Sequence, residues 1–140
     1  MTRHQMRESI FLLTFERIFN EEPVETIIET AKECETVAVD NRVIAWFEDI
    51  CQKQEIIDEE IKKYLKNWTI ARISKVSLAA LRVAMYEILF VEDMELNVSI
   101  SEAVKLTQEY SNKEDVSFVN GVLSSVDNVF HYRVQQTGLK

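Results

Sequence analysis

Glycine and proline are nearly missing from this chain, which has two glycines and one proline in 140 residues. A sheet needs residues that accept positive φ in its hairpins, so a mainly β architecture is excluded, whereas helices need few connections. Long apolar runs are missing too. None is long enough to span a bilayer, and the opening "MTRHQMRESIF" carries no signal-peptide core. Cysteine is limited to Cys34 and Cys51, without the paired spacing of a zinc site or a redox motif, so two free thiols in a reducing cytoplasm are expected. The two histidines, His4 and His131, lie at opposite ends with no second ligand nearby in the sequence, so no metal and no cofactor is expected. Neither a phosphate-cradling glycine loop nor a glycine-flanked nucleophile occurs. The expectation is a protein that is not an enzyme.

What is present is helical periodicity. Residues 3–19 place Met6, Ile10 and Leu13 on one row and Phe11, Phe15 and Ile18 on the next. Pro23 suits the first turn of a second helix, and Asp40 suits the N-cap of a third, faced by Val43, Phe47, Ile50 and Cys51. A fourth runs from about Glu55 to Trp68, with acids first and lysines last, as the helix dipole favours. A fifth, about Ser74 to Val91, is apolar nearly all round and reads as the buried central helix. Ser99 with Glu102, and Ser111 with Glu114, read as capping boxes that open the last two helices. The expectation is an all-α chain of about seven helices, one compact domain over residues 1–140.

One stretch resists this pattern. In "SFVNGVLSSVDNVF", Asn120-Gly121 is a hairpin signal, but the flanking residues do not alternate, and Val119, Leu123, Val126 and Phe130 follow a helical count. Glycine inside a helix costs roughly 1 kcal/mol against alanine. The expected reason is close approach of another helix to Gly121.

Net charge is −8, which argues against a stand-alone nucleic-acid binder, yet the charge is uneven. Residues 21–61 hold thirteen acids and three cations, whereas residues 62–82 hold six cations and no acid. Lys62, Lys63 and Lys66 are explained as partners of a helix C-terminus, and Arg82 as a paired core arginine. That leaves Arg72 and Lys75 free to meet an anion. At the N-terminus Arg3, His4 and Arg7 precede any effective concentration of acid. Guanidinium groups and the open N–H groups of a helix start would both favour phosphate there.

Three segments carry a family resemblance: "NWTIARISKVSLAALRVAMYEILF", "SISEAVKLTQEYS" and "FVNGVL". Their order and spacing resemble the NusB family of bacterial transcription antitermination factors, with its W…R…ILRxAxYEL, INEAVELAK and KFVNGVLD patterns, and "RHQMRES" is similar to its arginine-rich start. The resemblance covers about Arg3 to Phe130. It implies two three-helix bundles plus an extra helix, and a non-enzymatic adaptor. Such an adaptor binds boxA RNA of nascent rRNA transcripts together with NusE, a small-subunit ribosomal protein, and meets other Nus factors and RNA polymerase indirectly. A monomer or weak homodimer is expected. Carried over by position, Arg3, His4, Gln5 and Arg7 match the RNA-contacting segment, with His4 and Gln5 where arginine is common. Ser124 stands where the family has aspartate near the RNA, and Ser117 where it often has lysine. Phe15 and Glu87 match positions that meet NusE. A −8 protein of this kind should bind RNA weakly alone and better with a basic partner. The alternative is an all-α protein-interaction module with little RNA affinity of its own.

Overall fold

Seven α-helices and one 3-10 turn follow one another without a strand among the described residues: α1 (Arg3–Phe19), α2 (Val24–Glu33), α3 (Asn41–Gln52), α4 (Gln54–Lys62), the 3-10 turn Ile70–Arg72, α5 (Lys75–Phe90), α6 (Leu96–Tyr110) and α7 (Lys113–Thr137). The computed structural model describes residues 1–34, 37–66 and 68–137, and for 131–137 the backbone alone.

The helix starts are set by local side chains. Thr2 caps α1 through a capping box: its hydroxyl accepts from the Gln5 amide at 3.1 Å, and the Thr2 amide donates to Gln5 Oε1 at 2.8 Å. Asp40 caps α3 by accepting from the Val43 amide, and Ser74 caps α5 by accepting from the Ser77 amide. Two expected caps are placed differently. α6 begins at Leu96, so Ser99 lies inside it and is buried, its hydroxyl donating to Glu87 Oε1 at 2.9 Å. α7 is capped by Asn112, which accepts from the Asp115 amide, while the Ser111 hydroxyl donates to the Asp115 carboxylate. In both places a hydroxyl had a stronger partner than its own helix start, a buried carboxylate in the first case.

Packing follows the apolar faces. α1, α2 and α3 contact one another as one three-helix group, and α5, α6 and α7 as another, with α4 laid against α3 and α5. α5 also packs on α1 and α3, so it joins the two groups. Its Ala79, Ala80 and Ala84 are fully or almost fully buried. Small side chains there let neighbouring helices come close while Leu81 and Met85 fill the space between them. Phe11, Phe47, Ile57, Leu106 and Leu123 complete one continuous core.

α4 ends at Lys62, earlier than its periodicity suggests. Tyr64 and Leu65 bury themselves in the turn beyond it, and Trp68 is 54% exposed with its ring edge-on to Phe118. Lys62 and Lys63, expected as partners of the helix C-terminus, pair with the side chains of Glu59 and Glu60, while Arg82 makes a two-pronged pair with Asp58 at 2.9 Å, as expected of it. Between α5 and α6 the left-handed position is taken by Asp93 (φ 59°), a residue that tolerates it better than most.

Gly121 departs from expectation. It is exposed, and a Cβ added there would meet nothing within 4 Å. No helix approaches it, so close packing is not its reason.

Candidate functional site

The basic start of α1 divides into exposed and buried halves. Arg3 is exposed and makes no salt bridge among the described residues. Gln5 is also exposed, with its side chain closing the cap on Thr2. Arg7 faces inward and is only 3% exposed. Its guanidinium grips the Glu87 carboxylate, with Nε 3.0 Å from Oε2 and Nη2 3.0 Å from Oε1. Glu87 is 1% exposed and accepts a further bond from Ser99, while Arg7 Nη2 also reaches Met94 Sδ at 3.2 Å.

This pair bears on two sequence expectations. Arg7, expected at a phosphate, is buried and engaged by Glu87 in this structure. Glu87, expected at the protein partner, is buried and engaged by a cation of its own chain. An acid on an apolar helix must find a cation or leave the core, and Arg7 sits on the helix packed against it. Arg7 and Phe15 are eight residues apart on α1, about 12 Å along its axis. Phe15 is half-buried in an aromatic row, its ring centroid 6.4 Å from Phe11 and 5.0 Å from Phe19, which is itself 61% exposed.

His4 is held between two acids of α6. Its Nδ1 lies 2.7 Å from Glu102 Oε2, and its Nε2 3.2 Å from Glu109 Oε1. The Glu102 hydrogen bond is the largest cause raising the His4 pKa above its ordinary 6.5, and Glu109 adds to it. The charged imidazole is therefore favoured, and it is paired within the chain while its side chain stays 37% exposed. Nothing in the sequence ties His4 to acids about a hundred positions away. Only the docking of α1 on α6 brings them together.

Sequence reasoning also missed Lys105. It is exposed on α6, 3.9 Å from Glu102, and lines the groove that holds His4 together with Gln108. Lys105 and Gln108 continue into a second groove of about 500 Å³ between α6 and α7, whose far wall carries Asn120 and Ser124. The start of α1, the outer face of α6 and the exposed face of α7 thus form one surface. Along α7 it is built of the exposed, uncharged Ser117, Asn120, Gly121, Ser124 and Asn128, with the half-buried Asp127 as an acid on the groove wall. The signal for Lys105 was there, one of four cations in the acidic stretch 83–140, but averaging the charge over that stretch hid it.

The second basic segment lies elsewhere. Arg72 is exposed, and Lys75 lines a cavity of about 440 Å³ with Arg17 and Asn20 at the far end of α1. Arg17 is fourteen residues from Arg3, roughly 21 Å along the axis. Neither Arg72 nor Lys75 makes a salt bridge among the described residues.

Comparison with known proteins gives a consistent picture. The family model described as the NusB family matches residues 3–128. The transcription antitermination protein NusB of Oceanobacillus iheyensis is 40% identical over 126 residues, spanning 90% of this chain and 98% of that protein. That of Clostridium novyi is 35% identical over 130 residues, with the same coverage. Among solved structures, T. maritima NusB superposes with a TM-score of 0.77 at 32% identity over 90% of each chain. A crystal structure of antitermination factors NusB and NusE in complex with dsRNA superposes at 0.80, over 91% of this chain and 96% of that one. At 24% identity that likeness is one of fold.

Proposed function

The chain belongs to the NusB family, and from that membership we propose that it acts as a transcription antitermination factor, a non-enzymatic adaptor working in the cytoplasm on boxA-type RNA together with NusE. The observation that carries the RNA part is the surface from His4 across Lys105 and Gln108 to Asn120 and Ser124, with the exposed Arg3 next to His4 in the chain. Arg3 and Lys105 supply charge for phosphates. Gln108, Asn120 and Ser124 supply donors and acceptors for bases or sugars. The absence of Cβ at Gly121 removes a steric obstacle to a strand lying along α7, and the absence of a carboxylate at Ser124 leaves Asp127 as the one acid on that wall of the groove. Ser117 lies on the same helix face, two turns toward the α7 start. His4 contributes by pinning α1 to α6, and Gln5 by closing the α1 cap, so both act on the position of Arg3. Arg72 and Lys75 belong to a separate patch that a longer RNA or the protein partner reaches.

The protein partner is assigned to the aromatic row of α1, where Phe15 is half-buried and Phe19 protrudes. Aromatic anchors of this kind carry much of the energy of protein interfaces. Glu87 serves that contact from beneath, by holding Arg7 and with it the pose of α1. A basic ribosomal protein also suits a −8 chain, because it adds the phosphate neutralisation the chain lacks.

A titration of boxA-type single-stranded RNA, with and without NusE, tests the proposal. Arg3→Ala with Lys105→Ala should weaken boxA and scrambled RNA alike. It should also flatten the log-affinity against log-salt plot by about 0.7 per lost contact. Unchanged affinity and slope would remove this surface from RNA binding, whereas Arg72→Ala with Lys75→Ala producing the loss would move it to the other end of α1.

A further inference from the structure

Both ring nitrogens of His4 face carboxylate oxygens, at 2.7 and 3.2 Å. A neutral imidazole has one N–H, so one of these contacts needs a cation. With Nδ1–H given to Glu102, the shorter contact, the Nε2 lone pair points at Glu109. A proton can fill that gap, and so can a metal ion. Two N/O ligands on a tetrahedral zinc-type ion sit roughly 3.4 Å apart, given bond lengths of about 2.0–2.2 Å. The His4–Glu109 separation of 3.2 Å is close to that bite.

A third ligand is adjacent. Glu8 follows His4 by one turn of α1, and one ligand atom each from His4, Glu8 and Glu109 all lie within 4.8 Å of one another. The histidine is also oriented from behind. Glu102 fixes the His4 ring through Nδ1. Carboxylate behind histidine is the usual outer support of metal sites, where it sets the tautomer and the ring angle.

We propose that His4, Glu8 and Glu109 form a divalent-cation site of zinc-type chemistry between α1 and α6, with Glu102 orienting the His4 ring. The imidazole and two carboxylates leave a fourth position for water, and the ligand set suits zinc or cobalt over magnesium, which prefers all-oxygen octahedral sites. Bound there, the divalent ion takes the place of the His4 proton, which is released to water, so the cluster of Glu8, Glu102 and Glu109 gains one net positive charge. The ion also ties α1 to α6 by coordination.

Calorimetric titration of the purified chain with Zn²⁺ tests this, with Co²⁺ as a spectroscopic probe. The expected result is saturable one-to-one binding, kept in Cys34→Ser and weakened at least tenfold in both His4→Ala and Glu109→Gln. Glu102→Gln should weaken it by about 10-fold or more as an orienting partner. The Co²⁺ complex should show tetrahedral visible bands and no thiolate charge-transfer band. Glu109 is 44% exposed on its side chain, so its variant leaves the fold intact and isolates the ligand. Wild-type Zn²⁺ affinity in Glu109→Gln, loss of binding in Cys34→Ser, or no binding at all would each overturn the site and leave a proton as the only cation there.

Discussion

Removing one partner of the Arg7–Glu87 pair is the sharpest test of how α1 is held. Both side chains are essentially closed to water, at 3% and 1% exposure, and are joined by three N–H···O contacts between 3.0 and 3.2 Å. Glu87→Ala would leave the Arg7 guanidinium in the core with Met94 Sδ as its remaining neighbour, and would strip Ser99 of its acceptor. Breaking a buried pair from one side costs about 3–5 kcal/mol, because the stranded charge is not rehydrated. A domain this size has about 5–15 kcal/mol in all, so the loss is a large share. With a urea slope of about 1–3 kcal/mol/M, the unfolding midpoint should drop by on the order of 2 M. Arg7→Met should cost a similar amount. Arg7→Met with Glu87→Leu should recover most of it, since an apolar pair of like volume often matches a buried ion pair. Glu87→Lys should be worse than Glu87→Ala, as two cations would then face each other. The assay is urea unfolding followed by helical circular dichroism on these variants and on Glu87→Leu alone, with Arg7→Met, Glu87→Leu and their combination read as a double-mutant cycle. A loss under about 1 kcal/mol in Glu87→Ala, or additive single effects in the double variant, would refute the reasoning.

Other outcomes follow from the same geometry. Gly121→Ala should raise stability by about 0.5–1 kcal/mol, because the helix gains a better former and the new Cβ meets no atom within 4 Å. A lower melting temperature would mean that the exposed position is constrained in some other way. Ser124→Asp should weaken RNA binding while leaving the melting temperature within a degree or two, measured by RNA titration and a thermal scan. Asp49 accepts from Lys53 at 2.6 Å and from the Tyr86 hydroxyl at 2.7 Å, and its pKa is lowered, chiefly by the Lys53 bond. A depressed carboxylate adds stability above its unfolded value, near pH 4, and loses it as pH falls through the lower folded value. The stability of Asp49→Asn should therefore fall less steeply between about pH 4 and pH 2 than that of the wild type, as followed by urea midpoints across that range.

The sequence by itself determined the helices, their approximate ends and most of the core. Those features depend on side chains three and four positions apart, and on caps within one turn, as at Asp40 and Ser74. It also determined the family, because three motifs sit at fixed order and spacing. Even the pairing of Arg82 was legible from its place in an apolar helix, although its partner Asp58 was not. What only the tertiary structure decided is which charges are free. Arg3 and Arg7 are alike in sequence, one turn apart, yet one is exposed and the other is gripped by Glu87 from eighty positions away. Ser99 reads as a cap until Glu87 is found within reach of its hydroxyl. His4 reads as an isolated histidine until α6 brings Glu102 and Glu109 to its two nitrogens. Gly121 reads as a packing glycine until its side of α7 is seen to face solvent. Each of these depends on the angle and register at which two distant helices meet. That docking is set by the summed fit of many core side chains, and no local pattern around the residue itself records it.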